Sequence, residues 1–255
     1  TSGLWGLAYY VISAVNNAMD ALPNIVAEEQ DKNNLKAECL FLRALSHFDL
    51  VRTYAQPYCY TSDASHDGVP VVLHTDPKGT PARETVAKVY EQIIADLTEA
   101  ENIIDPSYAR SGVTDDRAVV NINVIRAMLS RVYLYKGDWQ NAADYATKVI
   151  DSKKYVLWTA DEVKNATCYC EDTHKGGEVI FEVYGIKTNS YDGYHDGISP
   201  MTGPNGYGDA GAAADLYDSY EDSDVRGTLF QTDEKNDPGV VWTAKYAGKG
   251  LGKPD

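Results

Sequence analysis

Leu129, Ser130 and Tyr133 are followed by Gly137-Asp138-Trp139, and then by Ala142. That order and spacing match the tetratricopeptide pattern, a helix–turn–helix unit. The physical logic is close packing: small residues let two helices approach, and an aromatic ring fills the groove beside them. One such pair cannot bury its own faces, so the pattern also demands neighbouring helix pairs.

The rest of the first half supplies them. Leu4, Leu7, Ala8, Val11, Val15, Ala18, Met19 and Leu22 recur at helical spacing, and Pro23 closes the segment. Ala37, Leu40, Phe41, Ala44, Leu45, Phe48 and Val51 form a second stripe. Val86, Val89, Tyr90, Ile93, Ile94, Leu97, Ala100 and Ile104 form a third, with Thr85 or Thr80 as its cap and Pro106 beyond its end. Val124, Ala127, Met128, Leu129, Val132 and Tyr133 give a fourth helix. Ala142, Tyr145, Ala146, Val149 and Ile150 give a fifth, capped by Asp138. The fold class expected is therefore all-α dominated: a tetratricopeptide-like helical-pair scaffold over 1–154. An irregular, loop-rich lobe over 155–255 completes one continuous domain. Within that lobe, 178–184 alternates like a short strand and Val240-Val-Trp242 like another. A short helix carries Ala213, Leu216, Tyr217 and Tyr220, and 185–210 reads as long loops.

Charge narrows the function. Thirty-eight acidic and 23 basic residues give a net charge of -15. Nucleic acid is disfavoured as a partner, because phosphates need a basic footprint. No apolar run approaches the roughly 20 residues of a membrane span. An acidic surface suits neutral ligands. Tyrosine is the outlying residue, with 19 Tyr against 4 Phe. A phenol is favoured where one edge is apolar and the other wet, as between helices at a rim or on a ligand platform. Sugars present such a surface.

Catalytic and metal patterns are lacking. There is no P-loop, zinc-protease His-Glu motif or nucleophile elbow. The five histidines, His47, His66, His74, His174 and His195, suggest no metal set. Cys168 and Cys170 flank one residue, which suits neither a disulfide nor a zinc knuckle, and Cys39 reads as a small buried hydrophobe. Gly206 to Gly211 spells a dinucleotide fingerprint without the strand that should precede it, and reads as a loop. Asp63 to Gly68 imitates the start of a calcium loop but lacks the closing Glu, and reads as a plain turn. No cofactor is expected, and the chain is expected not to be an enzyme.

The segment from Ala37 through Arg43, His47 and Arg52 to Tyr54 is similar to the signature helix of the SusD/RagB family of surface glycan-binding lipoproteins of Bacteroidetes. Pro57-Tyr58, Gly68-Val-Pro70, Thr85 to Leu97, Asn123 to Gly137, Glu178 to Phe181, Asp215 to Arg226 and Lys245-Tyr246 resemble the family's later landmarks in order. The resemblance implies a protein held by an N-terminal lipid on the extracellular face of the outer membrane. It captures an oligosaccharide, or in some relatives a peptide, and delivers it to a TonB-dependent outer-membrane transporter without chemistry. It also implies further helices beyond Asp255, supplied by a longer chain or by a second polypeptide fragment completing the fold. The start at Thr1, almost inside a helix, suggests a trimmed or cleaved chain.

A sugar platform needs flat aromatics and nearby hydrogen-bonding groups on loops held by a rigid support. Two stretches fit. One carries Tyr60, His66 and Asp67; Tyr58 lies beside them but coincides with a landmark and reads as structural. The other carries Asn189, Tyr191, Asp192, Tyr194 and His195, with Tyr207 further on. For the second, a packing loop or transporter-contact surface is the competing reading. At the level of the whole chain, the competing reading is a tetratricopeptide module that binds a peptide or protein in its groove.

Overall fold

The computed structural model describes residues 2–113, 116–164, 177–183, 202, 208, 210–233 and 237–245. The chain divides into two compact units, Thr1–Lys154 and Tyr155–Asp255.

The first unit is five helices: α1 (Ser2–Ala21), α2 (Glu29–Tyr54), α3 (Val86–Ile103), α4 (Ile122–Lys136) and α5 (Trp139–Asp151). Each packs against the next along the chain. The repeat pattern is visible in its contacts. The Ser130 hydroxyl donates to the Ala142 carbonyl at 2.7 Å, joining α4 to α5 at their small residues. The Tyr133 and Tyr145 rings stack at 5.7 Å beside that crossing. Gly137 adopts φ 81°, a left-handed cap that ends α4 and reverses the chain. Asp138 then caps α5, accepting from the Asn141 backbone N–H. Thr85 caps α3, and Asn121 caps α4, a role the hydrophobic stripes did not reveal.

Two helices differ from their expected form. In α1 the buried residues are Ala8, Ile12, Val15 and the polar Asn16, while Leu4 and Leu7 are exposed. The helix is covered on one side only, so its buried face is set by its neighbours rather than by every apolar residue in the stripe. α2 begins earlier than its apolar stripe, at a first turn carrying Glu29 and Asp31, acids that complement the helix N-terminus. It is also buried nearly all round, and it takes Glu38, Arg43 and His47 into the interior with Phe41 and Phe48.

Those buried polar groups organise the unit. The Arg43 guanidinium forks onto Asp96 of α3 and also donates to Asn16 of α1 at 2.9 Å. The segment between α2 and α3 lies across this network as a strap. Tyr9 donates to the Pro70 carbonyl, Asn16 to the Val72 carbonyl, and Arg43 to the Leu73 carbonyl. Glu38 makes a second tie, accepting from Tyr108 and Arg110 at 2.9 Å each.

The second unit holds short helices at Ala160–Lys164 and Ala214–Asp218 and an antiparallel pair, β1 (Phe230–Asp233) and β2 (Asp237–Thr243). β2 contains the expected Val240–Trp242 strand, and its partner β1 was not expected. The strand predicted at 178–184 does not form over its described residues, 178–183. A strand needs a ladder, and here the Glu178 carboxylate instead accepts from the Trp158 backbone N–H at 3.3 Å. The expected Cys39 environment is found, at 4% exposure.

Candidate functional site

Helix α2 ends at Tyr54, and Pro57 leads into a single 3₁₀ turn, Tyr58–Tyr60. The tight turn aims Tyr58 and Tyr60 in different directions. Tyr58 is half-buried, with its ring edge-to-face against Tyr90 at 5.0 Å. Tyr60 is 64% exposed. The first tyrosine is a packing wedge and the second presents a ring to solvent.

Tyr60 is braced. The His66 ring meets it edge-to-face, with centroids 5.2 Å apart and planes at 72°. Both His66 nitrogens are engaged. Nε2 lies 3.2 Å from the Gln56 carbonyl, which only accepts, so Nε2 carries the proton. Nδ1 then accepts from the Thr61 hydroxyl at 2.8 Å. Thr61 also accepts from the Ser65 backbone N–H. Both nitrogens are thus engaged while the ring rests against Tyr60. Asp67 is exposed on the same loop, its backbone bridged to Thr85.

The loop is locked to the start of α3. The first N–H groups of any helix lack internal partners. Here Val86 N–H donates to the His66 carbonyl and Ala87 N–H to the Ala64 carbonyl, both at 2.9 Å. Ala64 reaches that position with φ 52° and no exposure, a conformation uncommon for a residue with a side chain. Gly68 donates to the Glu84 carbonyl at 2.7 Å, and Glu84 donates back to Val69. Arg83 clips the outside, donating to the carbonyls of Gly68 and Tyr54 at 2.6 Å and 3.0 Å.

Asp63 on this loop is a turn element. Asp63 Oδ1 accepts from Ser65 N–H at 3.1 Å, and hydrogen bonds from Ser65 hold its carboxyl below the usual range. That geometry is an Asx turn, as the sequence indicated. Burial pushes the Tyr90 hydroxyl up to about 12, so the phenol against which Tyr58 packs stays neutral. What the arrangement offers chemically is a fixed, exposed aromatic face on a loop tied to a helix terminus, with the exposed Asp67 further along the same loop.

Sequence reasoning placed Tyr60, His66 and Asp67 together, and the structure brings Tyr60 and His66 into contact. It missed Thr61, Arg83 and the Gln56 carbonyl. Thr61 acts through one hydroxyl, Gln56 through its own main-chain carbonyl, and the Arg83 guanidinium through carbonyls of Gly68 and Tyr54, partners that leave no side-chain pattern to read. Asn189, Tyr191, Asp192, Tyr194, His195 and Tyr207 lie outside the described residues.

Similarity to known proteins agrees with the fold. Residues 1–134 match the SusD-like family described as starch-binding and associating with the outer membrane. SusD-like protein P2 of Formosa agariphila is 33% identical over 159 residues, which is 60% of this chain and 27% of that protein. A candidate sugar-binding protein of Bacteroides vulgatus superposes with a TM-score of 0.82 at 28% identity, over 100% of this chain and 55% of its own. A SusD superfamily protein of the same organism gives 0.81 at 26% identity, over 99% and 56%. The chain thus spans about half the length of these solved relatives and a smaller share of the curated one. With more than half of its residues matched and the helical order shared, the chain belongs to the SusD-like family.

Proposed function

We propose that this chain captures an oligosaccharide at the cell surface, without catalysis, for delivery to a TonB-dependent outer-membrane transporter. The observation that carries the reading is the Tyr60–His66 pair: an exposed ring, held in one orientation, on a loop clamped to a helix terminus. A flat aromatic stacks on the apolar C–H face of a pyranose, and rigidity lowers the ordering cost of binding. The family's association with starch and the outer membrane supports the same reading. The Formosa agariphila relative carries the family's name. The lipid anchor belongs to the intact precursor. The second stretch, Asn189 to His195 with Tyr207, is proposed as a further part of the sugar platform.

The test is affinity electrophoresis of the chain through gels containing starch and other plant, host and microbial polysaccharides. At least one polysaccharide is expected to retard the native protein. Tyr60→Ala, and separately Tyr191→Ala and Tyr194→Ala, are expected to reduce that retardation. Free migration in every gel would sink the reading. Delivery is tested by co-elution of the chain with candidate TonB-dependent outer-membrane transporters; absence of any complex would remove that step alone.

A further inference from the structure

A second surface on the helical unit has the makings of a saccharide site, and nothing in the loop just described requires it. Gly137, with its left-handed φ, folds α5 back on α4 and brings Lys136 and Trp139 to one rim. Tyr58, Lys136, Trp139 and Gln140 line a hollow of about 620 Å³ there. A neighbouring hollow of about 730 Å³ shares Lys136 and Asp138 and adds Asn102 and Asn141. Both are open and shallow, a surface across which an extended ligand can lie rather than a closed pocket.

Trp139 is the telling residue. It stands at the first position of α5 and is 68% exposed. α5 does not need it there. Asp138 does the capping, Ala142 and Val149 are its buried residues, and Tyr145 stacks on Tyr133. A large exposed indole with no packing duty among the described residues, at the mouth of a hollow, fits an aromatic platform.

The groups around it suit hydroxyls. Asn141 Nδ2 donates to Asp138 Oδ2 at 2.8 Å, which fixes the amide and turns its oxygen free. Gln140 Nε2 is likewise committed to Asp144. Hydrogen bonds from Asn141 hold the Asp138 carboxyl below the usual range, so it is a standing acceptor. The Lys136 ammonium, 5.9 Å above the Tyr58 ring, is the donor. Glu91 and Glu99 also border the larger hollow, and Glu99 is paired with Lys36 at 2.5 Å. Among the residues lining the two hollows, Lys136 is outnumbered by Asp138, Glu91 and Glu99, so an acidic ligand is repelled and neutral sugar is the chemistry that fits.

We infer that the rim formed by Tyr58, Lys136, Asp138 and Trp139 is a second binding surface for a neutral oligosaccharide, with one pyranose face stacked on the Trp139 indole. This rests on the glycan-capture reading and adds a contact separate from Tyr60. Two weak contacts on one glycan raise its retention by avidity, without either being strong.

The test follows the Trp139 indole N–H resonance of the full chain, assigned by its loss in Trp139→Phe. Maltoheptaose, cellohexaose, xylohexaose and an oligogalacturonate are titrated in turn. The expected result is that a neutral oligomer shifts the Trp139 signal while oligogalacturonate does not. Trp139→Ala should weaken binding of that oligomer at this surface about tenfold, the size of one lost stacking contact. Trp139→Phe should retain most of it, and Tyr60→Ala should leave the Trp139 shift in place. An unchanged circular dichroism melt of Trp139→Ala separates lost contact from lost fold. If a neutral glycan binds through Tyr60 but never moves the Trp139 resonance, this inference is overturned and the capture reading stands. If oligogalacturonate shifts the signal as strongly, the neutral assignment is overturned. If no saccharide binds at all, both readings fall.

Discussion

Arg43 of α2 holds Asp96 of α3 through two parallel hydrogen bonds, 2.8 Å from Nε and 2.7 Å from Nη2, with the carboxylate side chain only 2% exposed. Fork-on-carboxylate geometry is the strong form of the charge-assisted bond. The pair is also saturated: Gln92 donates to Asp96 at 2.7 Å, and Asn16 and the Leu73 carbonyl take the remaining guanidinium arm. Three helices and the strap meet at one cation.

Removing either partner leaves an uncompensated buried charge. Asp96→Ala is therefore expected to destabilise the chain by about 3–5 kcal/mol. Replacing both with apolar residues removes that penalty, so Arg43→Met with Asp96→Leu should be less damaging than Asp96→Ala alone. Urea unfolding of the two variants checks this. A double variant worse than the single would show that the network contributes more than charge balance.

His47 makes the same region sensitive to acid. Its Nδ1 faces the Arg43 carbonyl at 3.1 Å, and its Nε2 accepts from Val72 N–H of the strap at 3.4 Å. Burial first, and the Arg43 charge as well, lower its pKa from 6.5 to about 4, with Asp96 opposing. The folded state thus prefers the neutral ring, while the unfolded chain binds a proton below about pH 6.5. The contribution is fully present above pH 6.5 and is lost as pH falls toward 4, roughly 3 kcal/mol in all. Melting of His47→Gln, which keeps an acceptor and cannot titrate, should show a flatter pH profile than the native chain between pH 6.5 and 4.5. Parallel profiles would refute the assignment to His47.

How much of this was legible beforehand depends on which atoms do the work. Leu129, Ser130, Tyr133 and Ala142 announced a helix pair because side-chain size at fixed spacing sets how closely helices pack, and the Ser130–Ala142 bond lies where that logic puts it. Asp138 and Thr85 were readable as caps because a short polar side chain before an apolar stripe has a local partner. Arg43 and Asp96 were not readable, because a charge 53 residues from its partner leaves no periodic trace. Ile12 escaped for a related reason: α1 is covered on one side, and which side is a tertiary fact. In the loop, Tyr60 and His66 stood out by type, but the Gln56 carbonyl is main chain, and the Arg83 guanidinium grips main-chain carbonyls, which any residue carries.

The strap also supplies a way to move Tyr60 without touching it, and two glycines separate the effects. A Cβ on Gly68 would lie 2.9 Å from the Glu84 carbonyl oxygen and 2.9 Å from Val89 Cγ2, closer than real side chains sit. The oxygen is backbone and cannot step aside, and Gly68 N–H is bonded to it at 2.7 Å. Gly68→Ala must therefore push the loop off α3, at a cost of about 1–3 kcal/mol typical of overpacking. Gly137 is the opposite case. Nothing lies within 4 Å of its added Cβ, so only its φ of 81° is strained, which costs about 1 kcal/mol. Both substitutions lower the melting temperature. They should diverge in glycan retention at the Tyr60 surface, because only Gly68 anchors the segment that carries His66. Polysaccharide gels run with both variants in a Trp139→Ala background, where only the Tyr60 surface remains, decide it: retention lost on adding Gly68→Ala and kept on adding Gly137→Ala ties Tyr60 to the clamp. Equal loss would mean that the two variants act through stability alone.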